Sequence, residues 1–144
     1  MDRRIKFRGK DIVTGKWVYG DLLHICGGCI IYHGSQTESD LIDGDGKDMI
    51  VLYEDEVSVA KSDTIGQFIG LKDKNGKEIY EGDIIKGELM AWHTIRYNEE
   101  NAAFVASFFD SPNNCCTVTQ SWINEFNKTV IGNIHDTPGF INKK

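Results

Sequence analysis

Two histidines and two cysteines fall close together as His24-x-Cys26-x-x-Cys29-x-x-x-His33, and these are the residue types that ligate zinc. Gly27-Gly28 between the thiols would let both sulfurs turn toward one ion, and a tetrahedral site would need all four side chains at once. The neighbours argue the other way. Ile25, Ile30 and Ile31 read as strand, in which His24 and Cys26 share one face while Cys29 and His33 share the other unless the glycines break the alternation. The spacing is also tighter than that of common zinc modules. Small thiols buried in a β-hairpin are the commoner use of such residues. The expectation is therefore no metal and no cofactor, with His24, Cys26, Cys29 and His33 the one metal-like constellation. Redox use of Cys26 and Cys29 lacks the strand-to-helix setting that lowers a thiol pKa.

Other constellations fail on spacing. Asp43, Asp45, Asp48 and Glu54 suggest a calcium loop, yet Lys47 occupies the fifth position, Asp48 stands where a glycine makes the sharp turn, and no helices flank it. Between Gly70 and Gly76 lie five residues, where a phosphate loop has four, and Glu78 replaces its magnesium-holding hydroxyl. No Ser or Cys sits in a Gly-flanked turn with a His and a carboxylate at hand, so nucleophilic catalysis has no starting point. His93 falls in an alternating strand and His135 near the tail. The pairs Glu99-Glu100 and Asp55-Glu56 lie beside turns, where solvation accounts for them. Trp17, Tyr19, Trp92, Tyr97 and Trp122 would make a stacking surface if gathered on one outer face, although small β folds use aromatics chiefly for their cores. The chain is expected to be non-enzymatic.

The whole chain has 144 residues, 40% of them hydrophobic, with only 2 prolines. That suits one compact domain or two small lobes. No apolar run approaches a membrane span, and Met1 to Lys6 carries charge without an apolar stretch behind it, so no export signal is expected. The cytoplasm is the default location, and the four cysteines are expected there as reduced thiols. A net charge of −6 disfavours broad binding to polyanions. The charge is unevenly placed, with six basic residues against one acidic over 3–16 and nine acidic against two basic over 38–63. Solvated faces explain such runs, and a basic strand meeting an acidic partner is the sharper alternative.

The elements that must position all this are strands. Arg4-Ile5-Lys6-Phe7-Arg8 alternates basic and apolar, which predicts Ile5 and Phe7 inward and a basic outer face. Trp17 to Leu23 suits a partner strand, Ile30 to His33 a third, and Met49 to Tyr53 and Val57 to Val59 two more, with 34–48 a polar loop. From Thr64 to Lys86 an apolar run, a turn centred on Asn75-Gly76 and a second apolar run give the strongest hairpin signal, because both turn residues tolerate positive φ. Glu81-Gly82-Asp83 offers another bend. Trp92–Asn98, Ala102–Phe109, Cys115–Thr119 and Thr129–Ile134 continue the series, with a short helical turn or irregular link at Trp122–Phe126. Strands at this spacing predict a small barrel.

The stretch Thr64 to Ile85, with Gly66-Gln67-Phe68-Ile69-Gly70-Leu71 leading into Asp73-Lys74-Asn75-Gly76-Lys77 and then Ile79-Tyr80-Glu81-Gly82-Asp83, resembles the signature of the YopX family of phage and prophage proteins. Ile5-Lys6-Phe7-Arg8-Gly9-Lys10, Trp17-Val18-Tyr19-Gly20 and Val130-Ile131-Gly132-Asn133-Ile134-His135-Asp136 extend the likeness over almost the whole chain. The strand pattern puts a boundary near residue 63, giving a mainly β chain with an N-terminal β lobe over 1–63, and the resemblance implies an SH3-like small β-barrel in the C-terminal part, over 64–144. It supplies no metal ligands at His24, Cys26, Cys29 or His33. With the fold it implies an accessory interaction or assembly module of a phage or prophage, and the open strand edges of so small a chain add the expectation of a homo-oligomer, with a phage or host protein as a further partner. Binding of nucleic acid through the barrel or the basic hairpin is the alternative, and a zinc module is a second one.

Overall fold

A computed structural model of the chain describes residues 3–34, 41–44, 47–50, 53–88, 92–109, 111 and 113–136. The chain is mainly β, and it divides into two compact units, residues 6–65 and residues 1–5 with 66–144.

In the first unit, β1 (Phe7–Lys10), β2 (Trp17–Ile25) and β3 (Gly28–Tyr32) are followed by β4 (Leu41–Gly44), β5 (Lys47–Ile50), a 3-10 turn at Glu54–Glu56 and β6 (Val57–Ala60). The antiparallel order is β6-β3-β2-β1. The turn between β2 and β3 explains why Cys26 and Gly27 stand where they do. Ile25 pairs with Gly28, and the two residues between them have φ of 51° and 77°. Two consecutive positive φ values are the mark of a type I′ turn, whose twist matches that of the strands it joins.

Three expectations for residues 1–65 are corrected. The stretch 34–48 is not one loop, because β4 and β5 pair with Leu41 opposite Ile50 and Gly44 opposite Lys47. Leu41 and Ile42 are in register with Ile50 and Met49, and the surrounding Gly, Ser and Asp hid the two short strands in the sequence. Residues 35–40, 45, 46, 51 and 52 of that region lie outside the described residues. Ile5 precedes β1 and is exposed. Arg8, expected in a solvated basic face, is instead only 4% exposed, with its guanidinium carbon 4.5 Å from the Trp17 ring centroid. Arg8 is diagonal to Trp17 across the β1–β2 ladder, where an arginine can lay its weakly hydrated head on an indole and bury its stem.

In the second unit, β7 (Gly66–Lys72) and β8 (Glu78–Tyr80) form the central hairpin, followed by β9 (Asp83–Lys86), β10 (Trp92–Asn98), β11 (Ala103–Phe108), β12 (Cys115–Thr117), a short helix α1 (Gln120–Glu125) and β13 (Thr129–Asn133). A five-stranded antiparallel sheet runs β12-β11-β10-β9-β13. Among the described residues no ladder joins β12 to β13. Ile79, Ile85, Ile95, Ala106 and Ile123 form a fully buried core, with Ile69, Leu71, Val118, Trp122 and Val130 packed around it.

The reversal between β7 and β8 is built differently from its sequence signal. Gly76 has φ +82°, but Asn75 is not left-handed, and the loop is instead organised by Asp73, which is 5% exposed. Asp73 Oδ1 accepts from the N–H groups of Asn75 (2.8 Å) and Lys77 (2.9 Å), while Oδ2 accepts from Val130 N–H at 3.0 Å. One carboxylate thus shapes the turn and ties it to β13. A second tether comes from α1, whose Gln120 side-chain amide donates to Lys72 O (2.7 Å) and accepts from Lys72 N (3.2 Å), standing in for a strand beside β7. Thr119 caps α1 by accepting from Trp122 N–H.

Candidate functional site

Strand alternation and register sort the first unit's residues onto two faces. Cys29, Ile31 and Ala60 are buried on one. On the other, Arg8 faces Tyr19, Leu23 faces Ile30, and Ile30 faces Val59. That second face is not finished as a solvent surface. Tyr19, Ile25 and Val59 are 45%, 50% and 49% exposed, and Leu23 and Ile30 between them are half-buried. Beside it the β1–β2 turn presents Ile12 and Val13, and Ile12 N–H donates to Val59 O at 3.0 Å. Contiguous exposed apolar surface is the feature that separates contact surfaces from ordinary ones. Asp21 lies two positions from Tyr19 on the same face, with Arg8 and Lys10 on β1 at its margin.

The metal-like quartet is distributed along this sheet. His24 and Cys29 are direct partners across the β2–β3 ladder and therefore share a face, contrary to the expectation of uninterrupted alternation, because the type I′ turn reverses the chain between them. Cys26 is in the turn and exposed, as is His24, whereas Cys29 is buried. His33 lies beyond the far end of β3, where its Nε2 is 2.9 Å from Ser58 Oγ. Among the described residues, no group of three or more His, Cys, Asp or Glu side chains is placed to hold a metal ion.

His33 belongs to a cluster that no local reading could find. Asp11, Ser58 and His33 come from the β1–β2 turn, β6 and the end of β3. Asp11 Oδ1 accepts from Val13 N–H (2.7 Å) and Thr14 N–H (3.0 Å). Those two backbone donors, opposed by partial desolvation and helped by the Ser58 hydroxyl and His33, hold its carboxyl below the ordinary value. The residue types are those of a hydrolase, but the order of bonds is not. In a catalytic triad the imidazole stands between carboxylate and hydroxyl and takes the serine proton. Here Ser58 stands between the imidazole and the carboxylate, its Oγ 2.9 Å from His33 Nε2 and its hydroxyl helping to hold Asp11.

The remaining candidates disperse. Asp43 pairs with Asp48 across β4 and β5, while Asp45 lies outside the described residues. Asp55 and Glu56 are in the 3-10 turn, and Glu99 and Glu100 in the turn after β10. His93 is 2% exposed between Phe108 (ring centroids 4.4 Å) and Trp122 (5.4 Å), as a core residue. His135 N–H donates to Asn133 Oδ1 at 2.9 Å. The five aromatics fall in different units, Trp17 and Tyr19 in the first, Trp92, Tyr97 and Trp122 in the second. Trp122 is core, and it carries Lys128, whose Nζ is 4.8 Å from the indole centroid; burial lowers that ammonium's pKa, partly offset by Cys116. Tyr97 remains exposed.

Fold and site together define an all-β protein of antiparallel sheets in which, among the described residues, apolar strand surface is left open. A family described as YopX protein matches residues 6–142, and the chain belongs to it. The chain is also similar to the crystal structure of protein EF1440 from Enterococcus faecalis, at 24% identity and a TM-score of 0.57, over 96% of this chain and 98% of that one. That likeness is one of fold. No curated protein matches the chain. No helix among the described residues is long and apolar enough to cross a membrane.

Proposed function

We propose that this protein is a non-enzymatic accessory module of a phage or prophage, working in the cytoplasm as a homo-oligomer assembled through the outer face of β2, β3 and β6. The observation that carries the reading is the half-exposed row Tyr19, Ile25 and Val59 on one sheet face. A second copy is the occupant that the charges favour. Asp21 and Lys10 flank Tyr19 on the same face, so a two-fold axis beside Tyr19 brings the acid of each protomer toward the base of the other. The four free cysteines suit a reducing compartment.

Sedimentation velocity tests this. The wild-type protein should form a discrete oligomer by about 100 μM, a weak but specific association. The double variant Tyr19→Lys, Val59→Lys, checked for native far-UV circular dichroism, should remain a monomer. A wild-type protein that stays monomeric at that concentration, or a folded double variant that associates as the wild type does, overturns the proposal.

A further inference from the structure

The geometry points to a second site, a cleft in the unit of residues 1–5 and 66–144 that takes one nucleotide unit, a planar base with its phosphate. The cleft has a volume of about 350 Å³, and its lining includes Arg3 and Arg4, Gln67 and Gly70 of β7, and Tyr97 and Phe104 of β10 and β11. That size falls at the small end of the range of roughly 300–1,000 Å³ for small-molecule sites.

Each wall has a chemical consequence. Tyr97 and Phe104 are direct cross-strand partners whose rings meet edge to face, at 5.3 Å between centroids and an interplanar angle of 69°. Phe104 therefore fixes the Tyr97 ring while leaving it 42% exposed, a rigid platform for stacking. The guanidinium groups of Arg3 and Arg4, both on exposed residues, supply forked donors suited to phosphate oxygens. Gly70 has φ +89°, and a Cβ there would meet no atom within 4 Å, so its backbone borders open space that a ligand can enter closely. Gln67 offers an amide that can both donate to and accept from a base edge.

The surrounding charges narrow the class of ligand. The chain's net charge is −6, and Glu99 and Glu100 stand on the turn that follows Tyr97. Long polyanions laid across this surface would be repelled, whereas a single phosphate at Arg3 and Arg4 with its base on Tyr97 keeps the negative charge at the basic end. Aromatic and cation occur together here, which bare anion attraction would not require. The same unit can be presented by a free nucleotide or by one residue of a single strand.

The test measures binding of fluorescein-labelled octathymidylate and octauridylate by fluorescence anisotropy, and of AMP and TMP by calorimetry, on the full chain. Binding of the oligonucleotides, the mononucleotides or both is expected, and which arm responds identifies the source. Tyr97→Ala should weaken binding about 10-fold while Tyr97→Phe retains it, since stacking needs the ring and not the hydroxyl. With one phosphate contacted, octathymidylate affinity should fall only about 2.6-fold between 50 and 200 mM salt, and the double variant Arg3→Gln, Arg4→Gln should lose both affinity and salt dependence. If only the mononucleotides bind, the same variants are compared on AMP. No binding in any arm, or unchanged affinity in folded Tyr97→Ala, overturns the inference.

Discussion

Replacing Asp73 by alanine should be among the most damaging single changes in the chain, although the residue sits in a turn. Its carboxylate accepts three backbone N–H bonds, from Asn75, Lys77 and Val130, at 2.8, 2.9 and 3.0 Å. Hydrogen bonds to a charged group contribute about 1.5–3 kcal/mol each, so the gross loss is about 4.5–9 kcal/mol. Part is recovered. Asn75 and Lys77 are exposed, and their N–H groups find water once the carboxylate is gone. The Val130 N–H belongs to β13 and loses the partner that ties the turn to the sheet. A net destabilisation of about 3 kcal/mol is expected for Asp73→Ala, and roughly half that for Asp73→Asn, which keeps one acceptor oxygen. Urea unfolding followed by tryptophan fluorescence and far-UV circular dichroism gives the number. Asn75→Ala is the control, expected within about 0.5 kcal/mol of wild type because Asn75 is not left-handed. A loss below about 1 kcal/mol for Asp73→Ala, or an Asn75→Ala loss equal to it, would refute the assignment of the turn to Asp73.

Cys26→Asn should raise stability by about 0.5 kcal/mol in the same unfolding assay, since Asn tolerates the left-handed first position of a type I′ turn better than Cys does; a loss would contradict the turn assignment. Arg8→Ala should cost about 2 kcal/mol through lost stem burial and the contact with Trp17, and a change within about 0.5 kcal/mol would mean that Arg8 is solvated after all. The Asp11 carboxyl, followed by NMR, should titrate below 3.8 and move back toward that value in Ser58→Ala. Because the folded value is the depressed one, the stability that Asp11 contributes is fully present above pH 3.8 and is lost as the pH falls through the lower folded value; a wild-type midpoint at or above 3.8 would contradict the bonding described.

What the sequence made legible was the local pattern. Alternation of Trp92 to Asn98 and of the runs around Asn75-Gly76 named strands that the structure contains, because period-2 burial is written in neighbouring residues. What escaped depends on distant ones. Asp73 gains its role from Val130, and the Asp11, Ser58 and His33 cluster joins three separate segments. Arg8 looked like a solvated face because the alternation says which residues share a face and not what covers it. Around Cys26 to Cys29 the residue types favour a β-hairpin over a metal knuckle, and the chain reverses there between paired strands at Cys26-Gly27. Tyr97 was named among the aromatics, but its cleft needs the facing Phe104 and the basic Arg3 and Arg4, which only the fold brings near.

The most direct measurement of the assembly surface is hydroxyl-radical footprinting across a concentration series. Oxidation of Tyr19, Ile25 and Val59 should fall together as the protein becomes more concentrated, while Tyr97, in the other unit, keeps its reactivity. Reactivity at Tyr19, Ile25 and Val59 that stays constant from the most dilute to the most concentrated sample would contradict the account.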